Sequence, residues 1–223
     1  MLKKYDWAQI DTVIFDLDGT LIDLALDYQF WKEIVPTTYS ATHAVPDAAS
    51  QALLNEHYSR IEHSMQWYDV DYWADTLQLP IRTMLHLHAK NLKVRSNAET
   101  LLRTLQTAGK QLILLTDSHP YSLQEKLARC DLEPYFHHIL SSHQFQHPKM
   151  TDALWQAIFA EYHINPDRTL LLDDMQPVLD CARNNGVKFT LGIETPNSLS
   201  DAKTFDQHDS ISDFAQLLDH STE

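Results

Sequence analysis

Asp16 and Asp18 lie two residues apart, directly after the apolar run Thr12–Phe15, and Gly19 and Thr20 follow at once. Two further apolar runs lead into similar chemistry: residues 112–115 run into Thr116, Asp117 and Ser118, and residues 169–172 run into Asp173 and Asp174. Carboxylates gathered at one place repel one another, the more strongly the lower the local dielectric. Four of them together make sense around a hard cation that takes oxygen ligands, and Mg2+ fits best. Lys149, in the segment His147-Pro148-Lys149, is the one positive side chain that answers the cluster. Alone, each feature has a plainer reading: paired Asp on a solvated loop, Thr116 capping a helix, Lys149 on the surface. Three of the elements at strand ends make them, taken together, a candidate active site.

Side chains from such distant stretches meet only if something brings the strand ends together. A parallel sheet does so, because its ligand crevice opens beyond the carboxyl ends of the strands. Strands are expected at Thr12–Phe15 and at residues 112–115, 138–140, 169–172 and 188–191. Amphipathic helices separate the last four: one from Ser96, with Ser96 and Glu99 as a capping box and Gly109 as its stop, one over residues 122–130, one from Thr151 and one ending at Gly186. Asp180 reads as part of an exposed helix face rather than as a ligand. The alternation predicts a Rossmann-like, doubly wound parallel sheet with helices on both faces. Residues 24–94 break it: helical patterns replace strands, and we expect an inserted helical cap there, with residues 1–23 and 95–223 as the core domain. Leu53, Leu54, His57, Tyr58, Ile61 and Met65 share one helical face, and residues 28–35, 69–77 and 81–88 supply further helices, four in all. Residues 195–210 read as a polar loop before a last short helix over residues 212–218.

A chain of 223 residues, 43% hydrophobic and 22% charged, is long enough for one globular core carrying a modest insertion. Lys and Arg number 17 against 31 Asp and Glu, a formal net charge of −14, with no basic run. This argues against a nucleic acid polymer or an anionic membrane as partner. No stretch approaches the ~18 consecutive apolar residues of a membrane span, and the opening segment lacks the apolar middle of a secretory signal, so a cytoplasmic protein is expected. Cys130 and Cys181 form no CxxC motif and are read as small core residues. The histidines, His137, His138, His143 and His147 among them, show no zinc-ligand spacing and are read as scattered surface groups.

In chain order, DLDGT with Asp16 and Asp18, then Thr116, then Lys149, then the pair Asp173-Asp174 resemble the four motifs of the haloacid dehalogenase-like phosphatase superfamily. The insertion after the first motif is similar to that superfamily's cap in its first position. More narrowly, DLALDYQFWKEIVP, QWYDVDYWADTLQL and LLTDSHP resemble the bacterial GMP/IMP nucleotidases. The resemblance implies a phosphomonoesterase that uses Mg2+, with Mn2+ able to substitute. Asp16 would attack phosphorus and form an aspartyl-phosphate, and Asp18 would serve first as general acid and then as general base. Mg2+ would be held by Asp16, the backbone carbonyl of Asp18 and the carboxylate of Asp174, with Asp173 holding a metal-bound water. Thr116, Asp117 and Lys149, together with Asp16, would receive the substrate phosphate. Relatives often carry Asn in place of Asp117; its backbone N–H is expected to face the phosphate, and its carboxylate to turn away and bond within the Ser118-His119-Pro120 turn.

The insertion holds Tyr28, Phe30, Trp31, Tyr39, Tyr58, Trp67, Tyr68, Tyr72 and Trp73. Most should form the insertion's own core, while one or two facing the crevice, with Trp31 and Tyr68 as candidates, would stack on a purine. His119 and Gln66 are candidates for a donor that reads a 6-oxo group. The expected substrate is a small phosphorylated metabolite, a purine nucleoside monophosphate, with a sugar phosphate, phosphoglycolate or a mutase reaction as alternatives. A receiver domain would carry its acids in another order and without a cap. A catalytically silent binding protein would have lost at least one of Asp16, Asp18 or Lys149, and a true dehalogenase needs neither Mg2+ nor Asp18.

Overall fold

The computed structural model of the protein describes residues 2–218, so residue 1 and residues 219–223 of the expected core segment lie outside the described residues. Strands β1 (Thr12–Phe15), β2 (Gln111–Thr116), β3 (His138–Ser141), β4 (Thr169–Asp173), β5 (Phe189–Ile193) and β6 (Asp209–Ile211) form one parallel sheet in the order β3-β2-β1-β4-β5-β6. Between β1 and β2 lie α1 (Ala25–Gln29), a π-helical turn (Phe30–Ile34), α2 (Val35–His43), α3 (Asp47–Ile61), α4 (Met65–Tyr68), α5 (Val70–Leu77), α6 (Ile81–His88) and α7 (Ala98–Thr107). The later crossovers carry α8 (Pro120–Leu127), α9 (Asp152–Glu161) and α10 (Gln176–Asn184).

This is the Rossmann-like, doubly wound order expected from the alternation of strands and helices. Val13, Phe15, Leu112, Leu114, Leu170 and Leu172 pack with Leu101, Leu102 and Leu105 of α7. Ile14, Ile113, Leu115 and Leu171 face the opposite way, onto α9 and α10. Coverage of both faces is the reason these strands read as continuous apolar runs instead of alternating ones. The order also places β1 between β2 and β4, with Phe15 in register with Leu114 and Leu172, so three strands end side by side.

The insertion has a core of its own, centred on Phe30, Leu54, Tyr58, Trp73 and Ile81. Its two connections to the sheet run together: Ile22 pairs antiparallel with Val94, Asp23 N donates to Lys93 O at 3.0 Å, and Arg95 N donates to Leu21 O at 2.9 Å. The described residues form six α-helices here rather than four. The expected helix over residues 28–35 is instead α1, the π-helical turn and the start of α2, with Pro36 in the first turn of α2. Leu53 faces solvent at 46% exposure, whereas Leu54 and Tyr58 are buried.

Three terminal features differ from expectation. The capping box at Ser96 and Glu99 does not form: Asn97, at φ +61°, precedes α7 without a side-chain cap, and its amide donates to Asp213 Oδ1 at 2.8 Å. A capping box does occur at Asp213 and Gln216, ahead of a 3-10 turn (Phe214–Leu217) where a short helix was expected. The edge strand β6 replaces the end of the expected loop, since three residues are too few to carry a periodic signal. No helix among the described residues is long and apolar enough to cross a membrane.

Candidate active site

Asp16 extends β1 by one residue, its N–H donating to Leu172 O at 3.0 Å. The chain then doubles back at once, with Leu21 N and Ile22 N both donating to Leu17 O at 2.9 Å. Gly19 is required in this loop for two reasons. Its φ is +90°, and a Cβ there would stand 2.8 Å from Asp174 Cγ. The glycine therefore lets the end of β1 approach the carboxylate that follows β4.

At the centre, Lys149 Nζ donates to Asp16 Oδ1 at 2.6 Å and to Asp173 Oδ2 at 2.7 Å. The backbone of Lys149 is pinned as well: its N–H donates to Asp117 Oδ1 at 3.0 Å and its carbonyl accepts from Trp155 Nε1 at 2.8 Å. Burial pushes the Asp16 carboxyl well up against the pull of Lys149, and pushes Asp173 up to about 6. Lys149 is held above its ordinary value, because Asp16 and Asp173 outweigh the burial that would lower it. Asp117 corrects one expectation. Its carboxylate turns away from its own turn and holds the Lys149 backbone, 32 residues along the chain.

Asp18 points elsewhere. Its Oδ1 accepts from Lys126 Nζ at 2.5 Å and its Oδ2 from Ser118 Oγ at 2.6 Å, while Lys126 also donates to Asp27 Oδ2 at 2.8 Å. Burial would raise Asp18, but Lys126 and Ser118 prevail and hold it below the usual carboxylate range. Burial raises the other carboxyl on Lys126, that of Asp27. Neither Lys126 nor Asp27 was identified from the sequence. The available signal was Lys126 on the apolar face of α8, beside buried Ser122 and Leu123, since a lysine is rarely buried without a charge to meet. Thr116 is buried at the end of β2, and its Oγ1 accepts from Ser118 N at 3.1 Å, which leaves the hydroxyl proton to donate.

Asp174 holds Lys203 Nζ on Oδ2 at 2.9 Å. Among the described residues, Asp16, Asp18, Asp27, Asp117, Asp173 and Asp174 thus face only Lys126, Lys149 and Lys203, an excess of carboxylates that a divalent cation would relieve. The buried Asp16 Oδ2 has no hydrogen-bond partner among the described residues. An orphaned hard oxygen beside Asp174 suits Mg2+ or Mn2+. The side chain of Asp18 is committed to Lys126 and Ser118, so only its backbone carbonyl remains available to such an ion.

A cavity of about 280 Å³ connects these groups with the insertion. It is lined by Asp16, Asp18, Thr116, Lys149 and Asp174, and equally by Tyr28, Trp31, Tyr58, Trp67, Tyr68 and Trp73. Trp31, Tyr68 and His119 line this cavity, although the Nε2 of His119 faces Asp69 and Asp71, whereas Gln66 is exposed and does not line it. Asp69, Asp71 and His119 bring ligand-type atoms within 4.8 Å of one another. However, His119 Nδ1 accepts from Tyr121 N at 3.2 Å, which leaves its proton on Nε2, the atom facing the carboxylates. Asp71 carries Arg82 on both oxygens, at 2.7 and 2.6 Å. The trio works as a contact between α8 and the insertion. His143 packs edge-on against His119 with centroids 5.1 Å apart, and His88 and His208 are buried, so the histidines are not uniformly surface groups. Cys130 is buried and Cys181 half-buried, both free, and Asp180 is on the exposed helix face, where it accepts from His208.

A profile of haloacid dehalogenase-like hydrolases matches residues 13–191. The chain belongs to that family. It is 35% identical over 212 residues to GMP/IMP nucleotidase YrfG of Escherichia coli (strain K12), covering 95% of this chain and 96% of the relative. A phosphorylated carbohydrates phosphatase of Thermotoga maritima is 20% identical over 204 residues, covering 87% and 89%. Among solved structures, a HAD phosphatase from Thermococcus onnurineus superposes with a TM-score of 0.76 at 18% identity, over 90% of this chain and 92% of that one. The chain is a hydrolase, with the family's fold over nearly its whole length.

Proposed function

We propose that this chain is a cytoplasmic, Mg2+-dependent phosphomonoesterase that removes phosphate from purine 5′-monophosphates bearing a 6-oxo group, GMP and IMP. The observation that carries this reading is the single cavity in which the strand-end carboxylates and Lys149 share walls with an aromatic box. Stacking a base on an aromatic ring is worth roughly 1–3 kcal/mol, and a bare sugar has no comparable face. The kinship with the E. coli GMP/IMP nucleotidase supports the same substrate class. We read residues 24–94 as the cap and the remainder as the core; the paired connections at Ile22 and Val94 suit a cap that moves as a unit. Free Cys130 and Cys181 agree with a reducing compartment.

In this mechanism Asp16 attacks phosphorus in line, forming an aspartyl-phosphate as the bond to the nucleoside oxygen breaks. Asp18 gives that oxygen a proton, then takes one from the water that hydrolyses the intermediate and releases phosphate. The first half needs Asp18 protonated and the second needs it as carboxylate, the form that Lys126 and Ser118 favour. Thr116 donates its hydroxyl to a phosphate oxygen, and Lys149 sets a fixed positive charge beside the transferring group. Asp16, Asp174 and the Asp18 carbonyl would hold Mg2+, which would supply the charge that lets a carboxylate approach a phosphate dianion, while Asp173, accepting from Lys149 Nζ and Met175 N, keeps Lys149 in position.

Phosphate release measured with Mg2+ over GMP, IMP, AMP, a hexose phosphate and phosphoglycolate tests the reading. We expect kcat/KM for GMP and IMP at least about tenfold above the others, a gap of ~1.4 kcal/mol. Faster turnover of phosphoglycolate or the hexose phosphate would discard the nucleotidase and keep the phosphatase.

A further inference from the structure

Lys32 belongs to the π-helical turn and lines the cavity beside Trp31 and Tyr58. The other two lysines of that cavity, Lys126 and Lys149, are each bound to two carboxylates. Among the described residues, no carboxylate lies within 4.0 Å of Lys32 Nζ. Its ammonium has the side-chain oxygen of Asn55 at a long 3.4 Å and the face of Tyr58 at 4.9 Å from the ring centroid. An ammonium carries three donors and no acceptor, so this one has donor capacity left over in a cavity whose walls are rings. The cation–π contact holds the charge in place without consuming those donors. Single π turns inside α-helices are frequent at functional sites.

The proposed substrates offer a matching pair of acceptors. A 6-oxo purine presents O6 and N7 side by side, the pair to which lysine or arginine binds when guanine is read, whereas adenine presents an amino donor in place of O6. An ammonium can still donate to adenine N7, but at the 6-position it meets a donor and leaves the amino group unpaired. We propose that Lys32 is the specificity-determining residue that reads the O6 and N7 edge of the base and disfavours AMP. This rests on the nucleotidase reading above and adds the atom that makes the choice.

The test is Lys32→Gln, assayed for phosphate release from GMP, IMP and AMP with Mg2+. A glutamine amide presents a donor and an acceptor, the pattern that suits N7 and the 6-amino group of adenine. The preference for GMP and IMP over AMP should fall tenfold or more, with kcat/KM for AMP rising, a gain that a damaged fold cannot produce. Lys32→Arg, which keeps two donors, should retain the preference. Independently of any substitution, 7-deaza-GMP should be turned over about tenfold less efficiently than GMP by the unsubstituted protein. An unchanged ratio, a parallel fall for all three nucleotides, or equal turnover of GMP and 7-deaza-GMP would overturn the role of Lys32. The unsubstituted protein separates the two readings: if it does not prefer GMP and IMP, the nucleotidase reading falls and this inference with it. If it does and Lys32→Gln keeps that preference, only the role of Lys32 falls.

Discussion

The strand-end site and the insertion are built by opposite means. At the strand ends each charged group is fixed by another: Lys149 is held at its ammonium by Asp16 and Asp173, at its N–H by Asp117 and at its carbonyl by Trp155. In the insertion the wall is made of rings in mutual contact, Trp31, Tyr58, Trp67 and Trp73, with centroids 5.1 to 6.3 Å apart and mostly edge-on. Directional bonds between buried charges lose much when a single partner is altered. Apolar packing is less directional and tolerates replacement of similar volume. In our reading the chemistry is therefore kept where the geometry is over-determined, and substrate choice where the walls can be re-lined.

The contrast breaks most sharply at Asp16. Asp16→Asn should lower kcat by on the order of a thousandfold or more, since an amide is a poor nucleophile and a weaker metal ligand. Far-UV circular dichroism should remain that of the folded protein, and beryllofluoride in crystals of the unsubstituted enzyme should attach to Asp16. Attachment to Asp173 or Asp174 would refute the assignment.

Lys126 tests the joint between the two regions, because it ties Asp18 of the core to Asp27 of α1. Lys126→Met leaves two partly buried carboxylates without their cation, which should cost up to about 3 kcal/mol. We expect a loss of that size in urea unfolding, together with a fall in kcat larger than any rise in KM. A variant of undiminished stability would show that the two regions are not coupled through this lysine.

The smallest expected effect is on the pH dependence of stability. Burial raises Asp173 from the ordinary 3.8 to about 6, so the native state binds this proton more tightly than the unfolded chain. Its contribution must then decline as pH rises from about 4 through about 6. Asp18, held low, works in the other direction and loses its contribution as pH falls. Urea midpoints of metal-free protein over this range should show a downward component, to which Asp16 and Asp27 contribute with the same sign, that Asp173→Asn reduces and excess Mg2+ diminishes. A slope untouched by either change would mean that Asp173 does not carry the proton.

Much of the strand-end arrangement was legible because strand and motif coincide. Each apolar run is short, ends in polar residues and has a single way to lie in a parallel sheet. The partners of Asp18 were hidden for the converse reason: Lys126 lies 108 residues from it and Asp27 belongs to a different helix, and neither sits at a strand end. The misplaced capping box has a similar cause. Ser96 and Glu99 have the right spacing, but Asn97 is drawn to Asp213, 116 residues away, and a long-range bond displaces a local one.

Composition, periodicity and turn residues by themselves determined the parallel sheet, its helical insertion and the presence of Asp16, Thr116 and Asp173 at strand ends; that those strands adjoin was decided by the sheet order. Those follow from local rules, since a short apolar run buried on both faces and a glycine at φ +90° act within a few positions of themselves. Only the tertiary structure decided that Asp117 holds the Lys149 backbone, that Lys126 joins Asp18 to Asp27, and that Lys32 rather than Gln66 lines the cavity. Which charged groups meet depends on how the insertion is set against the sheet, and that is fixed by apolar packing summed over many residues. Such packing is non-directional, so it leaves no spacing in the sequence from which its partners can be read.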